Sequence, residues 1–213
     1  MKIHRSTLYL SSALALAFIA ITVMKSGRDQ QAAESVPRLS DIRKAQIEQF
    51  WNLYRQASDY RYAGDFEKAI RTYRQALQLN KDHEDAWYYL GNTLTQLGKF
   101  DEALEAFHQL SVINPLSTRA HIQAGMILSN PAPGAPFDLD AAEREFQRTF
   151  EINREESEPA LRLGEIAVAK GAFDSAELYL TDTLRLNPKA VAGYCLLGYL
   201  RWHREDHIEA REL

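Results

Sequence analysis

One spacing governs this sequence. Gly91 recurs as Gly125, Gly164 and Gly198, at steps of 34, 39 and 34 residues. Ala69 recurs as Ala103, Ala142, Ala176 and Ala210, at 34, 39, 34 and 34. Self-similarity at such a period belongs to stacked arrays, in which each unit buries one face against its neighbour. A single closed globule has no reason to keep it.

The residues of 84–117 explain the period. Trp87, Leu90, Leu94 and Leu97 lie three or four apart and share one face of a first helix. Gly91 sits mid-helix, where glycine costs about 1 kcal/mol against alanine. A helix accepts that cost where another backbone comes close. Gly98 ends the helix, as a residue free to take positive φ does. Asp101 and Glu102 suit the positive end of a second helix. Ala103, Phe107 and Leu110 form its buried face, Ala103 being small where the two helices cross. Asn114-Pro115 stops it, because proline disfavours helix in the residue before it.

Trp87-x-x-Leu90-Gly91, Gly98-x-Phe100-x-x-Ala103-x-x-x-Phe107 and Asn114-Pro115 together resemble the tetratricopeptide repeat, over about residues 50–213. The resemblance implies an all-α fold, a right-handed α-solenoid of stacked antiparallel helix pairs. Repeats are expected at about 50–83, 84–117, 118–156, 157–190 and 191–213, the last incomplete. The first has Gln56-Ala57 in place of Leu-Gly, the drift usual in an end repeat. The third carries five extra residues, which fall in 130–137. Pro131, Pro133 and Pro136 make that stretch a loop.

Ahead of the array, residues 6–24 carry no charge. A helix of that length spans roughly 28 Å, near the hydrocarbon thickness. Residues 1–25 are therefore expected to be an uncleaved transmembrane anchor. A cleaved signal is the rival reading, but Val23-Met24-Lys25 shows no small-x-small cleavage pattern; a buried helix is the third. Lys2 and Arg5 before the span balance Lys25 and Arg28 after it. The short lead is expected to stay in the cytoplasm, placing the repeats in the periplasm at a bacterial inner membrane. Residues 26–39 read as a linker. Ser40 is an N-cap candidate for a helix over about 41–62, which caps the open end of the stack. The fifth repeat stops inside its second helix, so either a longer protein continues with a working domain or a partner covers the end. The first leaves open a recognition arm of an enzyme or receptor; the second admits self-association.

Chemistry is sparse. Net charge is −4, with +4 on residues 1–28 and −8 on the rest. An acidic array is a poor binder of nucleic acid, which rests on phosphate neutralisation. There is no Gly-x-Ser-x-Gly, no phosphate-binding glycine loop and no His-Glu-x-x-His. His203 and His207 have a metal-compatible spacing, but Glu205-Asp206 falls in the expected turn between the paired helices, so the two rings are not expected to share a face. Cys195 reads as a half-buried packing thiol. Glu158 and Glu165 read as an acidic face and not as an acid/base pair. No catalytic residue, metal or cofactor is expected, and the chain is read as a non-enzymatic scaffold.

The resemblance further implies that first helices line a concave groove holding a peptide or a partner protein. The residues opposite the packing faces are Trp51, Tyr54, Ser58 and Arg61; Tyr88, Asn92 and Thr95; Arg119, Ile122 and Met126; Glu158, Leu161 and Glu165; and Cys195, Tyr199 and Trp202. Trp51 and Tyr54 could equally pack beneath a neighbouring helix. Co-chaperone members grip a terminal carboxylate with paired Lys, Asn and Arg. Here only Asn92 fits, and Arg119 with Gln123 breaks the basic pair, so that clamp is not expected.

Overall fold

The computed structural model describes residues 38–203. The expected anchor at 6–24, most of the linker, and the end of the fifth repeat with His207 and Ala210 lie outside the described residues. Among the described residues there is no strand, and no helix is long and apolar enough to cross a membrane. The chain divides into two compact units, 1–48 and 49–213. The described part of the first is the opening of α1 (Leu39–Tyr62). That helix starts earlier than expected. The Arg38 carbonyl accepts from the amides of Asp41 and Ile42, at 2.9 and 3.1 Å, so Ser40 lies inside the helix and does not cap it.

The second unit is the array. After α1 come α2 (Phe66–Leu79), α3 (Glu84–Gln96), α4 (Phe100–Ile113), α5 (Thr118–Leu128), α6 (Leu139–Ile152), α7 (Ser157–Ala169), α8 (Phe173–Leu186) and α9 (Val191–His203). The pairs α3–α4, α5–α6 and α7–α8 pack more extensively than the junctions α4–α5, α6–α7 and α8–α9 between them. These three repeats are therefore helical hairpins, and they stack in sequence order. First helices also touch across repeats, α3 with α5 and α7 with α9.

Local chemistry sets these boundaries. Gly98 takes φ 68° and turns the chain out of α3. The Lys99 amide then reaches back to the Leu94 carbonyl at 3.0 Å, satisfying a helix end. Leu97, expected on the buried face, is instead the C-cap of α3 and is exposed. The aspartates Asp65 and Asp138 cap α2 and α6 by accepting from Lys68 and Ala141 amides. Asn80, Asn114, Asn153 and Asn187 cap the four second helices. Each side-chain oxygen accepts the amide two residues on, at 3.1–3.3 Å. This Asx turn closes the four repeats whose second helix is described, with or without a following proline.

At Gly91, Gly125 and Gly164 the nearest atoms are those of a side chain. A Cβ on Gly91 would lie 2.7 Å from the Phe107 ring, and one on Gly125 2.8 Å from the Phe146 ring. On Gly164 it would lie 2.7 Å from Leu180. In each case the intruder comes from the paired second helix. Ala57 and Tyr73 occupy these positions in the first repeat, and both are fully buried. There the Tyr73 hydroxyl lies 3.0 Å from Ser58 Oγ.

Burial follows the stack. Ile70, Tyr73, Leu90, Leu94 and Phe107 share one core cluster. Phe146, Leu163 and Ile166 form another, and Leu180, Leu197 and Leu200 a third. Polar contacts about one period apart stitch the outside. Asn114 Nδ2 donates to Glu84 at 2.9 Å, Lys99 to Glu67 at 3.0 Å, and Arg74 pairs with Glu102. Exposed ion pairs add about 0–1 kcal/mol each, so the core holds the stack. The five-residue surplus falls between α5 and α6, as expected. Its Asp138 amide returns to the Leu128 carbonyl at 2.9 Å, which pins the loop's base.

Gly91→Ala tests the glycine contact. Helix propensity alone would stabilise by about 1 kcal/mol. The buried Phe107 ring leaves no room for the methyl, so the net outcome is a loss of about 1–3 kcal/mol, read as a lower urea midpoint at unchanged slope.

Candidate partner-binding groove

α1 and α3 bring the sequence-chosen aromatics of the first two repeats into one connected cluster. Trp51 lies on α1 and is 46% exposed. Its ring packs edge-on to Tyr54 at 5.8 Å and to His83 at 5.4 Å. Tyr54 is half-buried and touches Tyr73 at 6.0 Å and Tyr89 at 6.5 Å. Packing and presentation are thus divided between neighbours: Tyr54 lies mostly beneath, Trp51 mostly at the surface.

Two arginines extend the cluster. The Arg61 guanidinium lies 4.7 Å from the Tyr89 ring centre and 4.4 Å from that of Tyr62. Arg119, on α5, lies 4.7 Å from the Tyr88 ring and donates to Asp85 at 3.0 Å. Such cation–ring contacts are worth about 0.5–1 kcal/mol when exposed and more when dry. They also fix the orientation of two long side chains before any partner arrives. Asn92 on α3 and Ile122 on α5 are half-buried, and Met126 is exposed.

Two members were not singled out from the sequence. Tyr89 joins the cluster, touching Tyr54, Tyr73, Tyr88 and Arg61. A signal existed: Tyr89 is four residues after Asp85 and three before Asn92, on one helical stripe. His83 is the second. It precedes α3, and its Nδ1 accepts from the Ala86 amide at 3.2 Å. Its ring lies 4.7 Å from Phe50 and 5.1 Å from Tyr54. No sequence rule marks histidine as a preferred N-cap.

The environment perturbs these groups. Burial, then the Asp85 charge, pushes the Tyr54 hydroxyl up to about 12. It therefore stays a neutral donor. Burial works against the charge of Arg61, but bonds to the Tyr73 and Tyr62 hydroxyls outweigh it and the net shift is upward. Burial lowers the His83 pKa, opposed by Asp85 and Glu84. A neutral ring suits its task, since only a neutral Nδ1 can accept from the helix.

The later residues make different contacts. Leu161 packs on the last core cluster. Arg162 donates to Glu165 at 2.9 Å and to Glu158 at 3.4 Å. One guanidinium thus bridges both carboxylates, as suits an ion-pair face and not an acid/base pair. Tyr199 is exposed with its ring 5.9 Å from His203, and Trp202 is exposed. Cys195 is exposed on α9, not half-buried as expected. Among the described residues no group of three His, Cys, Asp or Glu side chains is placed to hold a metal ion.

A family model described as tetratricopeptide repeat matches residues 54–115 and 161–213. Among solved structures, a MamA protein superposes with TM-score 0.69 at 22% identity, covering 78% of this chain and 87% of that one. YrrB, described as a TPR protein with an unusual peptide-binding site, gives TM-score 0.62 at 19% identity, covering 75% and 80%. PilF of Pseudomonas aeruginosa gives 0.64 at 18%, covering 79% and 74%. At these identities the likeness is one of fold.

The His83 cap makes stability depend on pH with a definite sign. Its folded pKa lies below the unfolded value of 6.5, so its contribution is complete above that value and is lost as pH falls through the folded one. Urea midpoints measured from pH 7.5 down to 5 should fall for the wild type. His83→Asn, which accepts at every pH, should show a shallower decline.

Proposed function

This chain belongs to the tetratricopeptide repeat family, and from that premise we propose that it is a membrane-anchored scaffold that binds a protein or peptide partner in the groove lined by its first helices. The observation that carries the reading is the cluster of Trp51, Tyr54, Tyr88, Tyr89, Arg61 and Arg119 on α1, α3 and α5. Aromatic and arginine side chains dominate interface energetics, often above 2 kcal/mol each at a hot spot. Here they are fixed in advance by ring packing and by the Arg119–Asp85 bond, so little ordering entropy remains for binding to offset. The anchor is residues 6–24, uncharged and long enough to span a bilayer. The repeats then face the periplasm of a bacterial inner membrane.

Detergent-extracted full-length protein, cross-linked and captured from its own cells, tests the groove. Trp51→Ala and Tyr88→Ala should each cut the yield of specific partners at least tenfold. Leu178→Ala, an exposed change on α8, should leave it intact. Equal capture by all three variants would contradict the groove. Membrane fractionation with protease access from the periplasmic side tests the anchor separately: protein released in the soluble fraction would remove it.

A further inference from the structure

We propose that His83 is a proton switch for the groove described above: a second proton on its ring frees the start of α3, loosens the aromatic cluster around Trp51, and weakens the hold on a partner. The effect on a partner rests on the groove reading. The mechanism rests on local geometry alone.

Two attachments meet in this one half-buried ring. Its Nδ1 accepts from the Ala86 amide at 3.2 Å. The donor is a backbone N–H, so Nδ1 presents its lone pair and the proton of the neutral ring sits on Nε2. The same ring packs on α1, 4.7 Å from Phe50, 5.1 Å from Tyr54 and 5.4 Å from Trp51. It thereby ties the first turn of α3 to the aromatic face of α1.

A second proton breaks the first attachment. A charged imidazole donates from both nitrogens, so Nδ1–H would face the Ala86 N–H, donor against donor. It would also place a positive charge at the positive end of α3. The carboxylates that favour the charge are already engaged. Asp85 accepts from Arg119 of α5 at 3.0 Å, and Glu84 from Asn114 at the end of α4 at 2.9 Å. Of the three α1 residues against the ring, only Tyr54 titrates, and its hydroxyl stays neutral. Burial outweighs Asp85 and Glu84, and the seated ring takes a proton less readily than a free one. Falling pH therefore favours the released ring, beginning below the free value of 6.5.

The test uses full-length protein in detergent, labelled with 5-fluorotryptophan and titrated from pH 7.5 to 5. The Trp51 ¹⁹F resonance, assigned by Trp51→Phe, should move with the same midpoint as the His83 ring protons, below 6.5. Corrected for its intrinsic rate, exchange of the Ala86 amide should be about tenfold faster at pH 5 than at pH 7.5. His83→Asn, whose side chain accepts at every pH, should abolish both changes. A Trp51 resonance that stays still, that moves with another midpoint, or that moves equally in His83→Asn overturns the proposal. Should His83→Asn fail to fold, the two wild-type midpoints decide. The capture experiment, repeated at pH 5, reads the consequence. Partners that depend on Trp51 at pH 7.5 should fall about tenfold in the wild type and hold in His83→Asn. Equal wild-type yields at both pH values overturn the proposal even if the resonance moves. Capture that ignores Trp51→Ala at pH 7.5 instead removes the groove reading, and the resonances alone then judge the switch.

Discussion

A side chain seated against a bare α-carbon is the contact on which the array depends. Phe107 meets Gly91, Phe146 meets Gly125, and Leu180 meets Gly164. The second helix of each hairpin can approach the first that closely only because no Cβ stands between them. Close approach buries Ala103, Ala142 and Ala176 completely, and the hairpin becomes a rigid block. Burial of apolar surface within and between blocks then supplies the stability, at about 25 cal/mol per Å². The surface ion pairs, exposed and screened, add little.

Rigid blocks have a functional consequence. First helices of successive hairpins touch one another, α3 with α5 and α7 with α9. Side chains on those helices therefore hold a fixed spacing across repeats. The Arg119–Asp85 bond shows it directly, because the two residues are one 34-residue period apart in sequence. The aromatic cluster on α1 and α3 gains its order from the same source. His83 joins local and tertiary levels: one nitrogen caps α3 while its ring packs on Phe50 and Tyr54. Loosening the cap would therefore disturb both the helix start and the cluster.

The period was legible in the sequence because it is written in residues with local jobs. Gly98 carries a positive φ, and the prolines of 130–137 place the surplus in a loop. Other features escaped because they depend on a neighbouring element. The mid-helix glycines were expected to let another backbone come close, but the nearest approaching group is a side chain of the paired helix, Phe107, Phe146 or Leu180. Leu97 fits the apolar stripe by spacing, yet it falls where the helix has already ended. Cys195 is exposed because its side of α9 is not the one carrying Gly193, Leu197 and Leu200 into the core. Periodicity finds a stripe and does not say which edge of it a neighbour covers. Tyr89 takes its place from contacts with Tyr54 and Arg61 on α1, which no single helix reveals. In the first repeat Ala57 faces a different geometry, since the Tyr73 hydroxyl is held by Ser58.

A double-mutant cycle on Gly125 and Phe146 probes the packing claim most directly. Gly125→Ala and Phe146→Leu are made singly and together, and unfolding free energies are measured in urea. If the ring fills the space that a methyl would take, the smaller leucine relieves the clash. The double variant should then lose at least about 1 kcal/mol less than the sum of the single losses, the coupling usual for side chains in contact. Additive losses would contradict the account, because they would mean that Gly125 and Phe146 act on stability independently.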